Sequence, residues 1–223
     1  SKPVTKVGVV GAGIMASQFA LLFLRRLEVP VVITDVSQER IDKGLSYIRE
    51  ELDKLVEKGR LSTDDRNRYS GNLSGSLDYS AFANCDWVIE AVFEELEIKR
   101  QVFAKIEEYV SEDCILATNT SSLSVDAIGA KLKNPQRLVG FHFFNPVAVM
   151  PLVEVVRAAK SSDEAIATAM NVAKKLKKTA VITSDSAGFV VNRILGFLLG
   201  EAMRAVDEGA SFEKVTEAIA PLG

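Results

Sequence analysis

"TKVGVVGAGIMA", residues 5–16, decides the fold. A short β-branched run closes on glycines, which reads as a buried strand entering a tight turn. "IMASQFALLFLRRLEV" (14–29) follows with helical length and an apolar face, and "PVVITD" (30–35) is a second strand. A strand, a glycine turn, a helix and a second strand make one βαβ unit.

The turn itself, Gly11-Ala12-Gly13-Ile14-Met15-Ala16, has the form G-x-G-x-x-A. Alone that pattern is weak, but between a strand and a helix it is the fingerprint of dinucleotide binding. Gly11 permits the turn, Gly13 lets a pyrophosphate approach the backbone, and Ala16 stands where the third glycine can be alanine. The phosphates would lie on the N-terminus of the first helix, where unpaired N–H groups favour anions. Asp35 ends the second strand, 24 residues after Gly11. A carboxylate there accepts hydrogen bonds from ribose hydroxyls and repels a 2′-phosphate, so the expected cofactor is NAD rather than NADP.

Beyond this unit the alternation continues. "SQERIDKGLSYIREELDKLVEKG" (37–59) is a long charged helix with Ser37 as N-cap and Gly59 as stop. "STDDRNRY" (62–69) opens a shorter helix. After "GNLSGSLD" come strands at "DWVIEAV" (86–92), "CILATN" (114–119), "RLVGFHFF" (137–144), "PLVEVVR" (151–157) and "TAVITSD" (179–185). Helices are expected at "EELEIKRQVFAKIEEYV" (94–110), "SVDAIGAKL" (124–132) and "SDEAIATAMNVAKKLKK" (162–178). The expected class is α/β: a Rossmann-type, mostly parallel sheet with helices on both faces. From residue 186 the pattern becomes helical, with "SAGFVVNRILGFLLGEAMRAVDEG" (186–209) as one long apolar helix and "SFEKVTEAIAPLG" after it. The expected division is a nucleotide-binding domain at 1–185 and the first helices of an all-α domain at 186–223. A segment that short cannot form its own core.

The chain has one histidine, His142, in an apolar run, and Glu154 follows twelve residues later in a second apolar run. The segment between them, "NPVAVMP" (145–151), reads as a turn. A hairpin centred near residue 148 would set 142 opposite 154. A glutamate in an apolar strand needs a partner, because an isolated buried charge is costly. Such a pair can fix a tautomer, stabilise the imidazolium and leave the second nitrogen to take a proton from an alcohol as hydride leaves for NAD. The plainer alternative is a pair that only holds two strands together.

Composition sets limits on function. With 48% hydrophobic and 26% charged residues the chain suits a globular protein with a sizeable core. A net charge of −3 argues against nucleic acid or an anionic membrane surface as the main partner. No stretch approaches the roughly 20 apolar residues of a membrane span. Cys85 and Cys114 lie far apart without metal-ligand spacing, so the expected compartment is the reducing cytoplasm and no metal site is expected. A strand begins almost at once, so no signal peptide is read. The absent initiator methionine and the ending "EAIAPLG" suggest a processed or excised piece of a longer polypeptide.

"GAGIMA", "VIEAVFEELEIKRQVF", "ATNTSSLS", "GFHFFNPV", "MPLVEVV" and "AGFVVNR" occur in this order. Together they resemble the L-3-hydroxyacyl-CoA dehydrogenases of fatty-acid β-oxidation over nearly the whole chain. "GAGIMASQFALLFLRRLEVPVVITD" looks like the dehydrogenase part of bacterial multifunctional β-oxidation α-chains; a 3-hydroxybutyryl-CoA dehydrogenase is the other member in view. The resemblance implies that His142 and Glu154 are the catalytic pair, that Ser121 touches the substrate's 3-oxygen, and that Asn192 is the active-site asparagine. It implies that Glu94 and Lys99 stand near the nicotinamide, that Lys58 contacts the CoA side, and that Asn145 belongs to the histidine signature. It implies an acyl-CoA substrate, and a homodimer or a multifunctional β-oxidation complex. Gln18 replaces a usual glycine and Ala187 a usual proline. Family members continue with further helices that complete the substrate cleft, whereas this chain stops at Gly223. Two rivals follow: a dehydrogenase of a non-CoA hydroxy acid, and a non-catalytic NAD-binding module. The joint presence of His142, Glu154, Ser121 and Asn192 speaks against the module.

Overall fold

The computed structural model describes residues 1–222. Eight strands form one sheet: β1 Val7–Val10, β2 Val31–Thr34, β3 Leu73–Gly75, β4 Trp87–Glu90, β5 Ile115–Thr118, β6 Leu138–Phe143, β7 Leu152–Arg157 and β8 Thr179–Ser184. Their spatial order is β3-β2-β1-β4-β5-β6-β7-β8. Every neighbouring pair is parallel except β6 and β7. The expected α/β class is therefore present, including the hairpin: His142 pairs in register with Glu154.

β1, β2, β4 and β5 are buried at every residue, as parallel strands covered on both faces must be. On one face, α1 (Ile14–Leu27), α2 (Gln38–Glu57) and α6 (Asp163–Lys175) pack over Val7, Val9, Ile33, Trp87 and Phe141. On the other, α4 (Leu96–Glu107), the single turn α5 (Val125–Ile128) and a 3-10 turn at Tyr79–Phe82 pack over Val10, Val32, Val88 and Leu116. Phe82 lies so close to β1 that a Cβ on Gly8 would meet its ring at 2.6 Å. Ser37 caps α2 by accepting from the Arg40 amide, and Gly59 follows the helix with φ +64°.

Two features depart from the sequence reading. β3 is a strand where the sequence predicts only a break. It is a three-residue edge strand after α3 (Thr63–Gly71), polar and glycine-containing, with too little hydrophobic pattern to be visible. The long apolar helix starts late: α7 runs Val191–Asp207, because Gly188 and Phe189 take positive φ (+74° and +50°) and no helix passes through them. α8 (Phe212–Ile219) follows, and neither α7 nor α8 has a buried residue. Among the described residues no helix is long and apolar enough to cross a membrane.

Candidate active site

The strand order reverses between β1 and β4, and ligands of open α/β sheets bind at the carboxyl ends beside such a point. Gly11 has φ +114°, and a Cβ there would meet the Ala91 carbonyl at 3.0 Å, so only glycine fits. Ala16 is 1% exposed and closes α1 onto the turn. Gly13 differs: nothing lies within 4 Å of where its Cβ would stand, and no side chain caps α1. The first-turn amides therefore face open space. Around it, Ile14 (70%), Val36 (88%) and Phe93 (73%) are exposed apolar residues at the ends of β1, β2 and β4. An anion cradle rimmed by apolar side chains fits a dinucleotide. Asp35 Oδ2 accepts from the Ala12 amide at 2.9 Å and Oδ1 from the Val36 amide at 2.6 Å, which fixes the carboxylate beside the turn.

Gly13→Val separates folding from binding. Gly13 is extended (φ −69°, ψ −179°), so the fold accepts a side chain there, but that side chain would fill the space where the phosphates are expected. Thermal stability should be unchanged, while NADH affinity in a fluorescence titration should fall about 100-fold through lost charge-assisted contacts. An intact variant that binds NADH within threefold of the parent would rule out this cradle.

At the end of β6, His142 Nδ1 stands 2.9 Å from Glu154 Oε2, and both residues are buried (6% and 0% exposed). Phe144 and Phe189 flank the imidazole at 4.6 and 5.7 Å between ring centroids. The other carboxylate oxygen, Oε1, accepts from the Val190 and Val191 amides at 3.0 and 2.9 Å. Glu154 thus has three hydrogen-bond partners, as a fully buried carboxyl group requires, and two of them, the backbone amides, lead directly into α7. The hairpin loop is also held: the Val147 amide donates to Gln18 at 3.4 Å, and Lys178 donates to the Val147 and Met150 carbonyls. Gln18, the departure from glycine, therefore has a partner in this loop.

Ser121 sits beyond β5 with its backbone fixed on both sides. Its amide donates to Glu94 Oε1 at 3.2 Å, and its carbonyl accepts from Asn192 Nδ2 at 3.2 Å. Glu94 also takes the Thr120 hydroxyl and lies 3.5 Å from Lys99. Burial pushes the Glu94 carboxyl up, but the Thr120 hydroxyl, Lys99 and the two serine amides outweigh it and hold it below its ordinary value. Glu94 is therefore ionised at neutral pH. Asp185, just before α7, caps α5 through the Ser124 hydroxyl and the Val125 and Asp126 amides.

The structure therefore links His142 to Glu154, Glu154 to the start of α7, and Asn192 on α7 to Ser121 and so to Glu94. Lys99, which the resemblance sets near the nicotinamide, is buried. It is 1% exposed and donates to both oxygens of Glu90, 2.8 and 2.9 Å away. Sequence reasoning missed Glu90, although a glutamate inside the apolar "WVIEAV" carries the same signal as Glu154. Lys58 is not brought near the others. It is the exposed C-cap of the 20-residue α2, about 30 Å along the helix from its start beside Asp35. Cys85 and Cys114 are free and buried, and burial pushes the Cys85 thiol up to about 12, so neither offers a nucleophile.

The NAD binding domain model of 3-hydroxyacyl-CoA dehydrogenase matches residues 6–186, and the C-terminal domain model of the same family matches residues 188–223. The chain belongs to the 3-hydroxyacyl-CoA dehydrogenase family. Its fold is that family's NAD-binding fold, and NAD is its cofactor. The chain is 40% identical over 220 residues to the fatty acid oxidation complex subunit alpha of Idiomarina loihiensis, spanning 99% of this chain and 31% of that protein. Among solved structures it resembles (S)-3-hydroxybutyryl-CoA dehydrogenase from Ralstonia eutropha, with a TM-score of 0.92, 36% identity, and 97% and 77% of the two chains covered. It also resembles 3-hydroxybutyryl-CoA dehydrogenase from Escherichia coli, with a TM-score of 0.90, 35% identity, and 94% and 44% covered.

Proposed function

We propose that this chain provides the oxidation step of fatty-acid β-oxidation, converting an L-3-hydroxyacyl-CoA to the 3-ketoacyl-CoA. The observation that carries the reading is the buried His142–Glu154 pair, anchored to the start of α7. NAD, when bound, supplies the hydride acceptor. Glu154 accepts from Nδ1–H, which leaves Nε2 bare to take the proton of the 3-hydroxyl. The carboxylate then stabilises the imidazolium, while the α7 amides hold Glu154 in place. Phe144 and Phe189 exclude water from the pair. The Ser121 hydroxyl and the Asn192 amide position the 3-oxygen, and Glu94 and Lys99 support the loop that carries Ser121 beside the cofactor. Lys58 is assigned to the CoA end.

The domains in this reading are residues 1–185, which bind NAD, and 186–223, which begin the helical substrate domain. The compartment is the cytoplasm. The assembly is a homodimer or a multifunctional β-oxidation complex, the latter favoured by the name of the Idiomarina relative. The test is NADH formation from L-3-hydroxybutyryl-CoA, with a non-CoA hydroxy acid as control, using this chain joined to the C-terminal helices of a relative. Turnover of the CoA thioester at more than about 100 times the control rate supports the reading; equal rates would overturn it.

A further inference from the structure

The carboxylate that selects NAD does not stand alone. Arg40, in the first turn of α2, places Nε 3.0 Å from Asp35 Oδ1. Ser37, the cap of α2, holds the Arg40 backbone amide and so fixes where that side chain starts. The Arg40 side chain is 49% exposed, whereas that of Asp35 is 8% exposed. Neither Nη group of Arg40 has a protein partner among the described residues. Of the other charges here, Glu39 pairs with Lys43 at 2.8 Å, and Asp42 accepts from the Gln38 side-chain amide at 2.8 Å. The free face of a guanidinium therefore lies beside the carboxylate expected to meet the ribose 2′-hydroxyl.

A lone carboxylate at the end of β2 rejects a 2′-phosphate by like-charge repulsion. Here Arg40 neutralises Asp35, and the more exposed partner of that pair is the cation, with planar N–H donors suited to phosphate oxygens. We propose that Arg40 is a specificity-determining residue that admits the 2′-phosphate of NADP(H), so that this chain binds both dinucleotides and prefers NAD(H) only modestly. The proposal rests on dinucleotide binding at this site.

The test measures binding and needs no turnover. NADH and NADPH are titrated by nicotinamide fluorescence against the parent chain, Arg40→Gln and Arg40→Lys, and 2′,5′-ADP and 5′-AMP compete in parallel. The parent should hold NADPH within about tenfold of NADH, and Arg40→Gln should widen that ratio by about another tenfold with NADH changed less than threefold. Arg40→Lys should restore part of the NADPH affinity. Arg40→Gln should also weaken 2′,5′-ADP but not 5′-AMP. An NADPH to NADH ratio unchanged within twofold in Arg40→Gln, or a parent that binds NADH but no NADPH, overturns the role of Arg40 alone. A parent that binds neither overturns the nucleotide site with it.

Discussion

His142→Ala should lower kcat for L-3-hydroxyacyl-CoA oxidation by about 100-fold or more while NADH affinity stays within threefold, because general acid–base groups contribute on this scale. His142 stands near the end of β6, away from the glycine turn after β1 that is proposed to hold the phosphates. Glu154→Gln should be comparably slow for a different reason. Its single oxygen can serve the Val190 and Val191 amides, but its NH2 then faces Nδ1. That arrangement forces the proton onto Nε2, the nitrogen proposed to accept from substrate. Steady-state rates in the chain with the helices of a relative added are the measurement. Rates within about threefold of the parent for either variant would sink the proton-transfer role.

The second large effect concerns stability. Glu90 and Lys99 are 0% and 1% exposed, and they face each other below the Ser121 loop. The Thr118 hydroxyl and the Val92 amide also donate to Glu90. Lys99→Met leaves Glu90 buried without its counterion, and Glu90→Gln leaves Lys99 only the more distant Glu94, 3.5 Å away. Glu90→Gln and Lys99→Met should each cost about 3–5 kcal/mol of unfolding free energy, lowering the melting temperature by about 10 °C for a chain of this size. The double variant removes the buried pair and should recover most of the loss, since the amide oxygen introduced at position 90 can still accept from the Val92 amide while its NH2 donates to the Thr118 hydroxyl, and the half-exposed Glu94 keeps the Thr120 hydroxyl and the Ser121 amide. Urea unfolding of the three variants is decisive: costs that add in the double variant would mean the two charges are not coupled.

Much of this was legible in the chain because it depends on local chemistry. The glycine turn announces itself at Gly11 and Gly13, since only glycine accepts the positive φ at the first and only an absent side chain leaves the cradle at the second. The pairing of His142 with Glu154 was readable because a hairpin's register follows from where its turn lies. β3 was not readable, since three residues at a sheet edge, two of them small and exposed, have no pattern of their own. The late start of α7 was hidden because Phe189, an apolar residue in an apolar run, gives no sign of its positive φ.

By itself the sequence determined the α/β class, the nucleotide turn, the Asp35 position and the pairing of His142 with Glu154, each encoded by residue type at short spacing. Only the tertiary structure decided that Glu154 grips the first amides of α7, that Asn192 and Glu94 hold Ser121 from both sides, that Lys99 belongs to Glu90, and that Arg40 stands over Asp35. The physical reason is the nature of the bonds. Most of the contacts that assemble this site use backbone N–H and C=O groups, which every residue except proline carries alike. The rest depend on which charge ends up beside which when distant elements pack. Neither leaves a mark on the identity of the residues that will meet.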